Sequence, residues 1–368
     1  MPWLLWLLVV LAGCAAPPAH PPAGDSRALI ASYIPASVAD REAWAADIYT
    51  PMAVLGIPVT PRNVCAIVAV TEQESGFHAD PVVPDLPAIA HAEIERRRER
   101  LGIPKLVLDA ALDVKSTNGK TYRERLDHAR TERELSDIYE DFIGRVPFGR
   151  TLLESGNPVR TGGPMQVSVA FARAQAEEKK YPYAVTDSLR DEVFTRRGGM
   201  YFGIAHLLDY PASYDRDIYR FADFNAGRYA SRNAAFQAAL GLVAHRRLAL
   251  DGDLVPAGKA RDGTPGETEA AALSIAKSLD LDASDIHRDL AREGRADFES
   301  TPLYRKVFDL ADRRAGKRVA RAVVPSIELH TPKTTRRLTT RWFAERVAAR
   351  QARCLNAPRA ARGGAGAR

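Results

Sequence analysis

TPRNVCAIVAVTEQESGF, residues 60–77, decides how this chain folds. Thr60 before Pro61 reads as a helix start, with a side-chain cap and then a proline at the first helical position. From there the apolar residues Val64, Ile67 and Val70, joined by Thr71, recur at i, i+3, i+6 and i+7 on one face. Around Gly76 the helix should stop. At about 100° per residue, with Ile67 set at zero, Val64 falls near +60°, Val70 near −60°, Thr71 near +40° and Glu74 near −20°. Glu74 therefore continues the middle of the apolar stripe, whereas Glu72, near +140°, lies off it. An acid on the core side of a helix C-terminal end is disfavoured in its charged form by desolvation and by the negative end of the helix dipole. Both effects raise its pKa and suit it to donate a proton near neutral pH. The plainer alternative is a helix-terminal acid exposed to water or paired with an arginine.

Outward from this helix the pattern stays helical almost throughout, with few alternating β-branched runs and no internal repeat. A long polar stretch, from His78 to about Arg160, contains the loop PVVPDLP and the charged helical segments HAEIERRRERLGI and RTERELSDIYEDFI. A second helical block runs from Ser168 to Leu250. Residues 251–269, DGDLVPAGKARDGTPGETE, read as a linker or long loop. A helical C-terminal region follows over about 270–355, and the tail 356–368 reads as disordered.

The chain has 368 residues and 46% apolar content, enough for a real core. After residue 14 no apolar run approaches the roughly 20 residues needed to span a bilayer. At the start, PWLLWLLVVLAGC is an apolar segment closing on Leu11-Ala12-Gly13-Cys14, the form of a secretory signal with small residues before the cut. It lacks the Lys or Arg that a signal usually carries ahead of its apolar part. The ending resembles the bacterial lipobox, which implies cleavage after residue 13, lipidation of Cys14, a Pro-rich tether over 14–24, and anchoring at the periplasmic face of a Gram-negative outer membrane. Two cysteines then remain, Cys65 and Cys354; in an oxidising compartment they can bridge, or each can be a separately buried thiol. The net charge of +6 favours acidic partners, and the compartment argues against nucleic acid. No HExxH or comparable ligand spacing appears, so we expect no metal, and no Gly-rich phosphate loop or GxSxG elbow suggests another cofactor or nucleophile.

ESGF at Glu74–Phe77, GGPMQVS at Gly162–Ser168, GGMYFGIAHLL at Gly198–Leu208 and FADFNAG at Phe221–Gly227 occur in that order. Together they resemble the motifs of the family 1 lytic transglycosylases, relatives of goose-type lysozyme. The resemblance covers roughly residues 55–245. It implies a mainly α, lysozyme-like catalytic domain over 25–250, here with a large helical insertion over about 78–160, and then the helical C-terminal region. It implies peptidoglycan glycan strands as the substrate, and Glu74 as the single acid and base of a non-hydrolytic cleavage. By position, Ser75, Gln166, Tyr201 and Asn225 would contact the sugar or the acid, and Met165 and Phe224 would form an apolar floor. Each has a plainer reading: Met165 as packing, Gln166 as a cap for the helix near Ser168, Asn225 with Gly227 as a helix stop. Ile218, Phe221, Ala222 and Asn225 share one face, which argues against the last.

A hydrolase on the same fold would need a second carboxylate about 5 to 9 Å from the first; Glu72, Asp80, Asp85 and Asp223 are the candidates. The sequence departs from the family in carrying Phe224 where a tyrosine is usual, which leaves room for a non-catalytic peptidoglycan-binding lipoprotein. Tyr229 or Tyr201 could supply the missing hydroxyl. Leu153-Glu154-Ser155-Gly156 imitates the glutamate motif without its apolar helix. The whole chain also resembles an uncharacterised proteobacterial lipoprotein family, domain of unknown function 1615, through TPLYRKVFDLADRRAG and KTTRRLTTRWFAERVAARQARCL. Charged runs there read as solvated helix faces, with Arg336, Arg337 and Arg341 as alternative contacts to glycan or peptide.

Overall fold

The computed structural model describes residues 23–146, 148, 151, 153–255, 265–329 and 338–357. The signal segment with Cys14, most of the tether, Arg336, Arg337, the middle of the 251–269 loop and nearly all of the tail lie outside the described residues, as does the Glu154 side chain.

The chain is mainly α. The first three helices are α1 (Ala23–Tyr33), α2 (Arg41–Val54) and α3 (Pro61–Glu74). As its sequence foretells, α3 is capped by Thr60, whose hydroxyl accepts the Asn63 amide at 3.2 Å, and it stops where Gly76 takes a φ of +59°. A stripe was expected, yet every residue from Val64 to Thr71 is buried. A helix that is apolar all round belongs inside a protein, and α3 is covered from several sides.

The polar stretch that follows is a lobe of four helices: α4 (Leu86–Arg100), α5 (Lys105–Leu112), α6 (Tyr122–Asp127) and α7 (Glu132–Arg145). It has a small core of its own, built on Leu86, Tyr122, Leu126 and Ile138. Reciprocal capping boxes at Thr121 with Glu124 and at Thr131 with Glu134 fix two of its helix starts. A two-residue antiparallel pair, β1 (Thr161–Gly162) and β2 (Val167–Ser168), then pins the GPMQ turn.

The second helical block comprises α8 (Val169–Glu178), α9 (Leu189–Phe194), α10 (Arg196–Leu208), α11 (Asp217–Ala226) and α12 (Ala230–Ala244). The C-terminal region contains α13 (Glu267–Ser274), α14 (Ala276–Leu279), α15 (Ala283–Leu290), α16 (Pro302–Ala315), the short pair β3 (Glu328–Leu329) and β4 (Leu338–Thr339), and α17 (Thr340–Asn356).

Two cores organise these helices. The main one joins α1, α2, α3, α10, α11 and α17. The other packs α12 to α16 around Phe236, Phe298, Tyr304 and Phe308. The 270–355 region is thus not one unit. Its earlier helices cover α12, while α17 crosses back onto α3, and Cys354 is joined to Cys65 by a disulfide with Cα atoms 5.6 Å apart. No helix among the described residues is long and apolar enough to cross a membrane.

Candidate functional site

Three helix directions bring the motifs to one end of the main core. Cys65 of α3 is bonded to Cys354, and Glu72, two turns further on, meets Arg350 at 3.0 Å. Moving forward along α3 is moving backward along α17, so the two run antiparallel. At the other end of α3, Arg62 pairs with Asp217, the first residue of α11, at 2.8 Å, and Gln351 donates to the same carboxylate at 2.6 Å. Therefore α11 starts where α3 starts. Its far end carries Asn225, whose side-chain oxygen accepts the Thr340 hydroxyl at 3.0 Å, and Thr340 is the first residue of α17. The C-terminal ends of α3 and α11 and the N-terminal end of α17 thus share one side of the core. Two negative helix ends and one positive end meet there.

Glu74 is the last residue of α3 and is partly buried. Ser75 follows as the C-cap, its hydroxyl donating to the Thr71 carbonyl at 3.2 Å. Beneath them Thr71 bonds back to Ile67 at 2.9 Å and lies 3.9 Å from the Met200 sulfur of α10. The turn then packs Phe77 edge-on against Trp44, with ring centroids 5.2 Å apart.

The GPMQ turn lies against the glycine-rich start of α10 because those glycines have no Cβ. A Cβ on Gly199 would stand 2.5 Å from Pro164, and one on Gly203 would stand 2.5 Å from Met165. Met165 is fully buried in this seat. It offers no surface to a sugar, so its expected floor role gives way to packing. Gln166 closes the turn in the left-handed region, φ +49°, an uncommon state for a residue that is not Gly, Asn or Asp. Its amide lies 3.4 Å from the Gly163 carbonyl and its oxygen 3.4 Å from the Thr161 hydroxyl. It is not the cap of α8, because Ser168 takes that place by accepting the Phe171 amide.

Asn225 is not the stop of α11 either. That role falls to Gly227, with φ +107°. Phe224 is nearly buried and its ring stands 5.1 Å from that of His206. Tyr201 departs from expectation. It points away from Met200's core into a separate cluster with Tyr181 and Phe202, fully buried. No sugar can reach it there, and its hydroxyl cannot replace the one missing at Phe224. Tyr229 packs on Tyr210 at 5.1 Å and faces another cavity.

Three of the candidate second carboxylates, Glu72, Asp80 and Asp223, are committed elsewhere. Glu72 pairs with Arg350. Asp223 is buried and accepts four hydrogen bonds, from Tyr210, Tyr214 and the amides of Tyr229 and Ser231, at 2.6–3.0 Å. Burial raises its pKa, against those donors. Asp80 belongs to the lobe, where burial raises its pKa and Thr131 donates to it. Asp85 begins α4 in a left-handed conformation. Among the described residues no three His, Cys, Asp or Glu side chains gather as metal ligands.

His206 was not singled out from the sequence, although an imidazole inside GGMYFGIAHLL is conspicuous. Its Nε2 donates to the Phe224 carbonyl at 3.2 Å, while Nδ1 is buried with no partner. Burial, then the nearby Arg228 charge, pushes its pKa down to about 4. It stays neutral and ties α10 to the end of α11, just behind Asn225.

Comparison with known proteins extends over nearly the whole chain. The Escherichia coli (strain K12) "Uncharacterized protein YaiW" is 50% identical over 356 residues, covering 95% of this chain and 96% of that protein. No solved structure matches. The sequence profile of "Protein of unknown function (DUF1615)" matches residues 37–357, so the chain belongs to the DUF1615 family.

Proposed function

We propose that this chain is a lysozyme-like peptidoglycan lytic transglycosylase, held at the periplasmic face of the outer membrane through Cys14. The observation that carries the reading is the convergence of separate motifs. The ends of α3 and α11, the GPMQ turn and the start of α10 are far apart in sequence, yet their apolar members Phe77, Met165, Met200 and Phe224 belong to one core. Glu74, Ser75, Gln166 and Asn225 are the partly buried polar residues of the same segments.

In this proposal the Glu74 carboxyl gives its proton to the glycosidic oxygen leaving C1 of N-acetylmuramic acid. The resulting carboxylate takes the proton of that sugar's C6 hydroxyl as O6 bonds to C1. The product is a 1,6-anhydro sugar, and no water is consumed. Gln166 and Asn225 hydrogen-bond the sugar, and Phe224 lines the apolar edge. The commitments of Glu72, Asp80 and Asp223 favour this course over hydrolysis, which needs a second carboxylate beside the first.

A second reading, a peptidoglycan-binding lipoprotein without catalysis, is favoured by Phe224, because neither Tyr201 nor Tyr229 brings a hydroxyl to that place. Mass spectrometry of muropeptides after incubation with peptidoglycan separates these readings. Anhydro ends that vanish in Glu74→Gln, with folding kept, support transglycosylation. Reducing ends indicate hydrolysis. Anhydro products undiminished in Glu74→Gln would remove Glu74 from the chemistry, and no release by the unaltered protein would leave the binding reading.

A further inference from the structure

A cavity of about 820 Å³ opens where the two cores meet. It is lined by none of the residues assigned above to glycan cleavage, and its volume lies in the range of small-molecule sites. Four cations face it, Lys179, Arg220, Arg228 and Arg295, against two acids, Glu178 and Asp209. Asp209 is already held by Lys179 at 2.6 Å and by Gln175 at 3.0 Å. Arg295, at the rim, pairs with Asp297 at 3.3 Å.

Arg220 and Arg228 are different: among the described residues neither has a carboxylate within ion-pair distance. Both stack on one ring, Tyr210, at 4.6 and 5.2 Å. Arg228 donates through Nη2 to Ala205 O at 2.6 Å and through Nε to His206 O at 3.4 Å. Arg220 donates through its two terminal nitrogens to Tyr210 O at 3.3 and 3.4 Å, and more weakly to Leu207 O. These bonds cap the end of α10 and explain why the guanidinia lie there. They leave Arg228 Nη1 and Arg220 Nε without a bond to the described residues. Arg228 feels Asp209 and Glu178 only at a distance; part-buried cations with no directly paired carboxylate are costly, and two of them beside an open cavity make a ready seat for an anion.

We propose that this cavity binds a small molecule carrying a carboxylate or phosphate, whose oxygens bridge Arg220 and Arg228 while its remaining part rests on Tyr210 and Tyr229. Guanidinium suits this task because it offers planar, paired donors to either group. Cleavage at Glu74 can be wrong and this site remain, since no residue is shared.

The test is isothermal titration calorimetry of the full chain with tri-L-glutamate and with inorganic pyrophosphate, using tri-L-alanine amide as the uncharged control. At least one anionic probe should bind with a Kd below about 1 mM, and the better one identifies the acid group. Losing one charge-assisted hydrogen bond should weaken that probe by about tenfold or more in Arg220→Gln and in Arg228→Gln. Arg295 is 72% exposed, so Arg295→Gln should stay folded and weaken binding by a smaller factor; it carries the test if an inner variant loses its thermal transition. The proposal is overturned if neither anionic probe binds more tightly than about 1 mM, or if the folded variants bind as well as the unaltered protein.

Discussion

His206 makes the protein sensitive to acid in a way that can be isolated. In the unfolded chain an imidazole titrates near 6.5; in the fold, burial brings His206 down to about 4. The folded pKa is depressed, so between these values the unfolded state holds more protons, and stability falls as pH falls. The contribution is complete above about pH 6.5 and lost by about pH 4. At about 1.4 kcal/mol per pH unit the whole window is worth about 3 kcal/mol, with about 2 kcal/mol gone by pH 5.

Other groups titrate in the same window. Glu293 and Asp137 are each raised to about 6 by burial, and their protonation acts in the opposite sense. The useful quantity is therefore a difference between proteins. His206→Gln keeps a donor for the Phe224 carbonyl but cannot titrate. Urea unfolding followed by tryptophan fluorescence, at pH 7, 6, 5 and 4, gives both stability curves. The variant should start below the unaltered protein at pH 7, and the gap should close by about 3 kcal/mol at pH 4. Curves that stay parallel would show that the imidazole is not held neutral, and the account of how α10 grips the end of α11 would fall with it.

Gly203→Ala sets a methyl 2.5 Å from Met165; it should destabilise the protein by about 1–3 kcal/mol in urea melts, and Met165→Ala in the same chain should recover part of that loss. The Cys65–Cys354 bridge closes a span of 289 residues, so Cys354→Ser should lower stability by up to about 5 kcal/mol on chain-entropy grounds, seen as a lower thermal midpoint that reducing agent does not change further. Asp223→Asn replaces a carboxylate that accepts four bonds with an amide that must turn a donor toward one of them; a loss of about 2–4 kcal/mol is expected in thermal or urea unfolding.

What the sequence disclosed was local. Thr60, Pro61 and Gly76 marked the limits of α3 through capping and φ preference, and Ser168 marked the start of α8. Its limits were those of distance and of direction around a helix. Only the possible pairing of Cys354 with Cys65 hints that TTRWFAERVAARQ crosses back to α3; the segment itself carries no sign of partners that lie at the other end of the chain. The stripe on α3 understated burial for the same reason. Tyr201 lies in the right motif for a site residue. Yet one step of about 100° separates it from Met200, and that step turns it into a different core. The motif of Met165 suggests a floor residue; only the missing Cβ of Gly203 shows how deep it lies. Gln166 carries no local sign of a left-handed backbone, which residues such as Gly or Asn usually announce.

The return of α17 has a consequence for the order in which the protein can be assembled. The eight apolar or small residues that α3 hides include Cys65, which is made 289 positions before the cysteine that seals it. Through the first part of that synthesis only α1 and α2 are at hand to shield them; α10 and α11 reach the same core later, and α17 comes last. Contacts so far apart in sequence form late and slowly, and greasy surface left waiting invites aggregation. A protein built this way should depend on a chaperone that holds the nascent chain more than its size alone would suggest.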